Sequence, residues 1–192
     1  MKTNYEILKN KLSSFNNILK QYNLTYEIYL FGASLGAYHL KDEYRFSHDL
    51  DYTSKTQIQN DKVQEILNSL EIRDMGGIMM VPELEDLKIV NEINYSNLTV
   101  KIPSIENFAL SKLLSNRQKD YDDLKKYPIL DNCNIEELKE MLDEYLLYFV
   151  FGDNPSYNFN FLDDLLEERR LDKTEDSTPQ QSYINRDITD NF

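Results

Sequence analysis

Apolar positions along the chain change period several times, and each change marks an element. Leu8, Leu12, Phe15, Leu19 and Tyr22 step by three and four residues, which predicts an amphipathic helix. Thr3 and Glu6 have capping-box spacing at its start. Thr25–Phe31 is an aromatic and aliphatic run expected as a buried strand, ending abruptly at Gly32-Ala33-Ser34. A short helix is expected over Leu35–Lys41, then a polar loop, then strict alternation in Asp49-Leu50-Asp51-Tyr52. Val63, Ile66, Leu67 and Leu70 share a face of a helix expected over Gln57–Leu70. Gly76-Gly77 predicts a turn into a short strand, Ile78–Val81. Leu87–Ile93 and Leu98–Ile102 read as a hairpin across Asn94-Tyr95-Ser96-Asn97, and Pro103 stops its second strand.

Beyond Pro103 the pattern is helical. Ser104 caps a helix running to about Asn116, and another spans about Lys119–Lys126. Asn134 with Glu137 opens a third, carrying Leu138, Met141, Leu142, Tyr145, Leu146 and Phe149 on one face, and a last helix covers about Phe161–Leu171. There is no internal repeat. The expected fold is α/β of the α+β kind: a mixed-sheet core flanked by helices over residues 1–103, then a helical half over residues 104–171. Residues 172–192 begin with DKTEDSTPQQS, which lacks the apolar residues to support a core and is expected as an acidic, flexible tail.

Charge narrows the function. The net charge is −13, of which residues 152–192 carry −6. A broad grip on a DNA or RNA backbone needs a basic surface and is not expected. A local basic groove is still open. The densest bases are Lys112, Arg117, Lys119, Lys125 and Lys126, interleaved with Asp120, Asp122 and Asp123. The single Cys133 excludes a disulfide framework and a Cys-based zinc site, and His39 and His48 lack zinc spacing. No apolar run approaches the roughly 18–20 residues of a membrane span, and MKTNYEILKN has no signal-peptide core. A cytoplasmic protein with no membrane partner is expected.

The chemistry concentrates in one stretch. Asp49 and Asp51 alternate with Leu50, so both carboxylates face one side of a strand, about 7 Å apart. Such a pair is costly to bury without a cation and suits Mg²⁺, with Mn²⁺ as an alternative. The Gly32-Ala33-Ser34 turn opens a helix whose N–H groups are placed to cradle a phosphate. A nucleoside triphosphate would lie with its phosphates on the turn and its metals on the carboxylates. Tyr44 and Tyr52 flank the pair as candidates to stack on a base.

The stretch FGASLGAYHLKDEYRFSHDLDY resembles the active-site region of the nucleotidyltransferase superfamily, and most closely that of AbiEii-type toxins. Arg45-Phe46-Ser47-His48-Asp49-Leu50-Asp51 fits that family's Arg-x-Ser-x-Asp-h-Asp element, where h is hydrophobic. Lys112, Arg117, Asp120 and Asp123 fit its later helical motif. The family's first glycine is Phe31 here, and its hydroxyl residue after the second glycine is Ala33. The resemblance implies a nucleotidyltransferase core with Asp49 and Asp51 as metal ligands and catalytic residues. It also implies nucleotide contacts from Gly32, Ser34, Arg45, Ser47 and Asp120, and a third carboxylate, for which Glu92 is the candidate. Lys112 has two readings: an ammonium aimed at the triphosphate, or a stem snorkelling along the core to water.

Three functions follow. The first is Mg²⁺-dependent transfer of a nucleoside monophosphate from a triphosphate to a hydroxyl on a protein, RNA or small molecule. The resemblance adds a toxin or phage-defence setting with an antitoxin partner. The second is a non-catalytic nucleotide-binding or protein-interaction module on the same fold. The third is a tRNA-modifying toxin that uses the basic cluster.

Overall fold

The computed structural model describes residues 3–45, 47–76, 83–148 and 154–176. Helix α1 (Asn4–Gln21) begins with the expected capping box. The Thr3 hydroxyl accepts from the Glu6 amide and the Glu6 carboxylate accepts from the Thr3 amide. Strand β1 (Tyr26–Leu30) follows. Helix α2 (Gly32–Leu40) starts three residues earlier than the periodicity indicates. Its Ala33, Ser34, Leu35, Gly36 and Ala37 are all buried, so there is no polar face to mark its phase.

Strand β2 (Leu50–Thr53) pairs antiparallel with β1. Helix α3 (Asp61–Ser69) starts later than Gln57, because the Asn60 side chain caps it by accepting from the Val63 amide. Strand β3 (Ile72–Asp74), which is not anticipated by the pattern, pairs parallel with β2. The expected strand Ile78–Val81 lies outside the described residues. The hairpin is present as β4 (Ile89–Asn94) and β5 (Leu98–Pro103). The five strands form one mixed sheet in the order β3-β2-β1-β5-β4.

Helices α4 (Ile105–Leu113), α5 (Gln118–Lys126), α6 (Ile135–Tyr148) and α7 (Leu162–Asp176) complete the chain. The Ser104 hydroxyl accepts from the Asn107 amide to cap α4, as expected. Phe149, assigned to the apolar face of α6, lies outside the described residues. Helix α7 extends to Asp176, into the segment expected as a tail, and residues 177–192 lie outside the described residues.

The sheet has two unlike faces. Ile28, Leu30, Leu50, Tyr52, Ile72, Leu98, Val100 and Ile102 are buried against the helices. Leu12, Phe15 and Leu19 of α1, Val63 of α3, Phe108 of α4, Leu124 of α5, Leu138 of α6 and Leu165 of α7 join the same cluster, so both halves share one core. The opposite face carries a small second cluster of Tyr29, Phe31 and Leu87, with Asp51 and Lys101 beside it by alternation.

Candidate active site

The antiparallel pairing of β1 and β2 sets the start of β2 beside the end of β1, where the chain turns into α2. The Phe31 amide donates to the Asp51 carbonyl at 3.2 Å. Gly32 has φ +52°, the left-handed region that favours glycine. A Cβ there would sit 2.6 Å from Asp51 Oδ2. The Asp51 carboxylate also accepts from the Ala33 amide, so it already holds part of the helix N-terminus expected to cradle phosphate.

Ser34, expected to cradle phosphate, turns its hydroxyl to the backbone of the neighbouring strand. Its buried hydroxyl accepts from the Asp51 amide at 2.8 Å and donates to the Asp49 carbonyl at 3.4 Å. It ties α2 to the backbone of the carboxylate strand. Ser47 borders the same narrow crevice as Ala33, Ser34 and Asp49, against Lys11 of α1.

Burial, then the charge of Asp49, raises the Asp51 carboxyl above its ordinary value. The Ala33 amide, Arg45 and Arg73 pull the other way. Arg73 is a site residue that periodicity misses. A three-residue strand shows too little alternation to be recognised. Its register opposite Asp51 puts it on the carboxylate face, with Nη1 3.8 Å from Asp49 Oδ2.

A buried polar network stands behind the loop from Tyr44 to Asp49. The Asp123 carboxylate accepts from the Tyr44 hydroxyl at 2.6 Å, from Arg45 Nε at 3.0 Å and from Lys112 Nζ at 2.7 Å. Lys112 also donates to Asp120 at 3.1 Å, and Asp120 accepts from Arg117 Nε at 2.7 Å. Burial raises the Asp120 and Asp123 carboxyls, but Lys112 and the other donors outweigh it and leave both below their ordinary value. Lys112 is 3% exposed, so its ammonium neither snorkels to water nor projects into an open site. Asp120 is equally enclosed. The network links α4 and α5 to the carboxylate loop through Arg45.

Other expected residues fall elsewhere. Glu92 lies on the carboxylate face, but it pairs with Lys101 and lies three strands from β2. That is about 15 Å by strand spacing, too far to share an ion with Asp51. A β-bulge between Ile89 and Asn91 breaks the alternation of β4 and places Ile89, not Asn91, on the side of Glu92. Among the described residues no group of three His, Cys, Asp or Glu is placed to hold a metal. Tyr44 and Tyr52 are buried and cannot stack on a base in this arrangement. Burial pushes the Cys133 thiol well up, in keeping with an inert group. Of the five clustered bases, Lys112, Arg117 and Lys125 are paired with carboxylates, which leaves little of the expected basic groove.

The partly desolvated Asp51 carboxylate, repelled by Asp49 just ahead of β2, makes with it a donor pair that fits a hard divalent cation. Among the described residues no helix is long and apolar enough to cross a membrane. No curated protein and no solved structure matches the chain. A family model does match, over residues 8–167, which takes in the glycine turn, the carboxylate pair and the Lys112 network. The chain belongs to that family, described as nucleotidyltransferase of unknown function (DUF6036).

Proposed function

We propose that the protein is a Mg²⁺-dependent nucleotidyltransferase that moves a nucleoside monophosphate from a triphosphate to an acceptor hydroxyl. One observation carries this reading. Asp49, one residue ahead of β2, lies close enough to Asp51 to raise its carboxyl, and Gly32 is the residue that admits the Asp51 carboxylate at the start of α2. Asp49 and Asp51 would hold the metal, which when bound neutralises phosphate charge and polarises the α-phosphorus. The acceptor oxygen forms a bond to that phosphorus, the bond to the bridging oxygen of the β-phosphate breaks, and pyrophosphate leaves. The hydroxyl proton passes to solvent. Ser34 holds the backbone of the pair, while Asp123 and Lys112 hold Arg45 beside it.

The AbiEii-type resemblance supports a toxin or defence setting with an antitoxin partner. A protein or small-molecule acceptor suits the surface better than tRNA, since most of the basic cluster is already paired. A second reading, nucleotide binding without transfer, is favoured by the position of Glu92, far from the pair. Label from α-³²P triphosphates decides between them when wild type is compared with Asp49→Ala/Asp51→Ala. Transfer to an acceptor or to the protein itself, lost in the double variant, is the expected result. Metal-dependent binding with no transfer in a cell extract supports the second reading. Neither binding nor transfer overturns both.

A further inference from the structure

We propose that Arg73 is the resident counter-cation of the carboxylate pair, yielding Asp49 to the metal and then receiving the triphosphate. This rests on the nucleotidyltransferase reading above. Three observations carry it.

First, the β2–β3 register sets Arg73 opposite Asp51, and its guanidinium reaches Asp49 Oδ2 at 3.8 Å. It lies where a cation shared by the two carboxylates would have to compete with it. Second, the pair is open: the side chains are 53% and 37% exposed. Ion pairs of this kind are weak and exchange easily. Arg45 is the contrast, because its Nε is committed to the buried Asp123. One arginine is anchored and the other is free to move. Third, among the described residues β3 is the edge strand of the sheet, so no neighbouring strand flanks Arg73 on its outer side. The guanidinium has space to leave Asp49 without unfolding the sheet edge.

The consequence is a preference for metal and nucleotide together. A divalent cation alone must displace Arg73 and leave the guanidinium without its carboxylate. A metal–triphosphate complex displaces it and supplies new anionic oxygens, which an arginine binds through paired N–H donors. Arg73 therefore opposes the bare metal and favours the metal–nucleotide complex.

The test uses the full chain and two binding measurements that need no turnover. Free Mn²⁺ is followed by electron paramagnetic resonance. The four α,β-methylene triphosphates are titrated in the presence of Mn²⁺. Arg73→Gln is expected to bind Mn²⁺ alone about two- to fivefold more tightly. It is expected to bind the best triphosphate analogue about tenfold more weakly. Arg73→Lys keeps the charge and should hold Mn²⁺ near wild type while only partly restoring the analogue. Thermal melts check that the exposed substitutions leave the fold intact. Unchanged or weaker Mn²⁺ binding in Arg73→Gln overturns the counter-cation role, and unchanged analogue binding overturns the handover. If Asp49→Asn/Asp51→Asn abolishes Mn²⁺ binding while Arg73→Gln behaves as wild type, only the Arg73 role falls. If the Asp double variant binds Mn²⁺ like wild type, or neither binds it, the metal site itself is wrong and both readings fall.

Discussion

Replacing Gly32 with alanine puts a methyl group where the structure has room only for the Asp51 carboxylate. Two costs add. The left-handed φ of +52° costs a non-glycine residue about 1–2 kcal/mol. The new Cβ would also lie 2.6 Å from Asp51 Oδ2 and 3.3 Å from both Cβ and Cγ of Asp51. Relieving such overpacking costs about 1–3 kcal/mol, since the carboxylate must leave the Ala33 amide. Gly32→Ala is therefore expected to lose about 2–5 kcal/mol in total. In an Asp51→Ala background the Oδ2 and Cγ contacts vanish, and the backbone cost of about 1–2 kcal/mol persists with only the mild 3.3 Å contact to the remaining Cβ. Urea denaturation of wild type, both single variants and the double variant gives the coupling directly, expected at about 1–3 kcal/mol. Equal costs in the two backgrounds, within about 0.5 kcal/mol, would refute the claim that Gly32 exists to admit Asp51.

Further outcomes follow from the same geometry. The Asp51 carboxyl is raised by burial and by Asp49, so its contribution is favourable below its unfolded value and lost as pH rises through the folded one. Asp51→Asn should accordingly be more stable than wild type at neutral pH, with the gain vanishing in acid; a variant less stable at pH 7 contradicts this. Asp123 has the opposite sign, and its stabilisation is present above its unfolded value and lost as pH falls through the lowered folded one. Asp123→Asn should cost about 3–5 kcal/mol at neutral pH, since it leaves Lys112 and Arg45 short of a buried counter-charge. Urea midpoints at pH 7 and pH 3 should show that gap narrowing. Arg169 Nη2 donates to the Leu124 and Tyr127 carbonyls at 2.6 Å and so caps the end of α5 from α7. Arg169→Met should cost about 1.5–3 kcal/mol and speed amide exchange in α5, and an unchanged exchange pattern would contradict the cap.

The parts legible in the sequence are those whose free energy is local. The Thr3–Glu6 box, the Ser104 cap and the hairpin across Asn94–Asn97 are decided within a few residues of chain, and each stands where its pattern places it. Local signals also set the likeness of Arg45–Asp51 to a nucleotidyltransferase element. They fail where burial removes the contrast, as in α2, or where an element is too short to show a period, as in β3.

By itself the chain's sequence pointed to two carboxylates beside a glycine turn, in an acidic protein for which a broad grip on a nucleic-acid backbone is not expected. Only tertiary structure decided which charges answer them. Arg45 meets Asp123 across 78 positions, and Lys112 is enclosed with two aspartates and withdrawn from solvent. Arg73 is brought to Asp49 by a parallel pairing, and Glu92 is carried away by strand order. The reason is physical. A side chain's type sets which interactions are open to it. Its partner is set by sheet register and by the cost of leaving a buried charge alone, and both are properties of the whole fold.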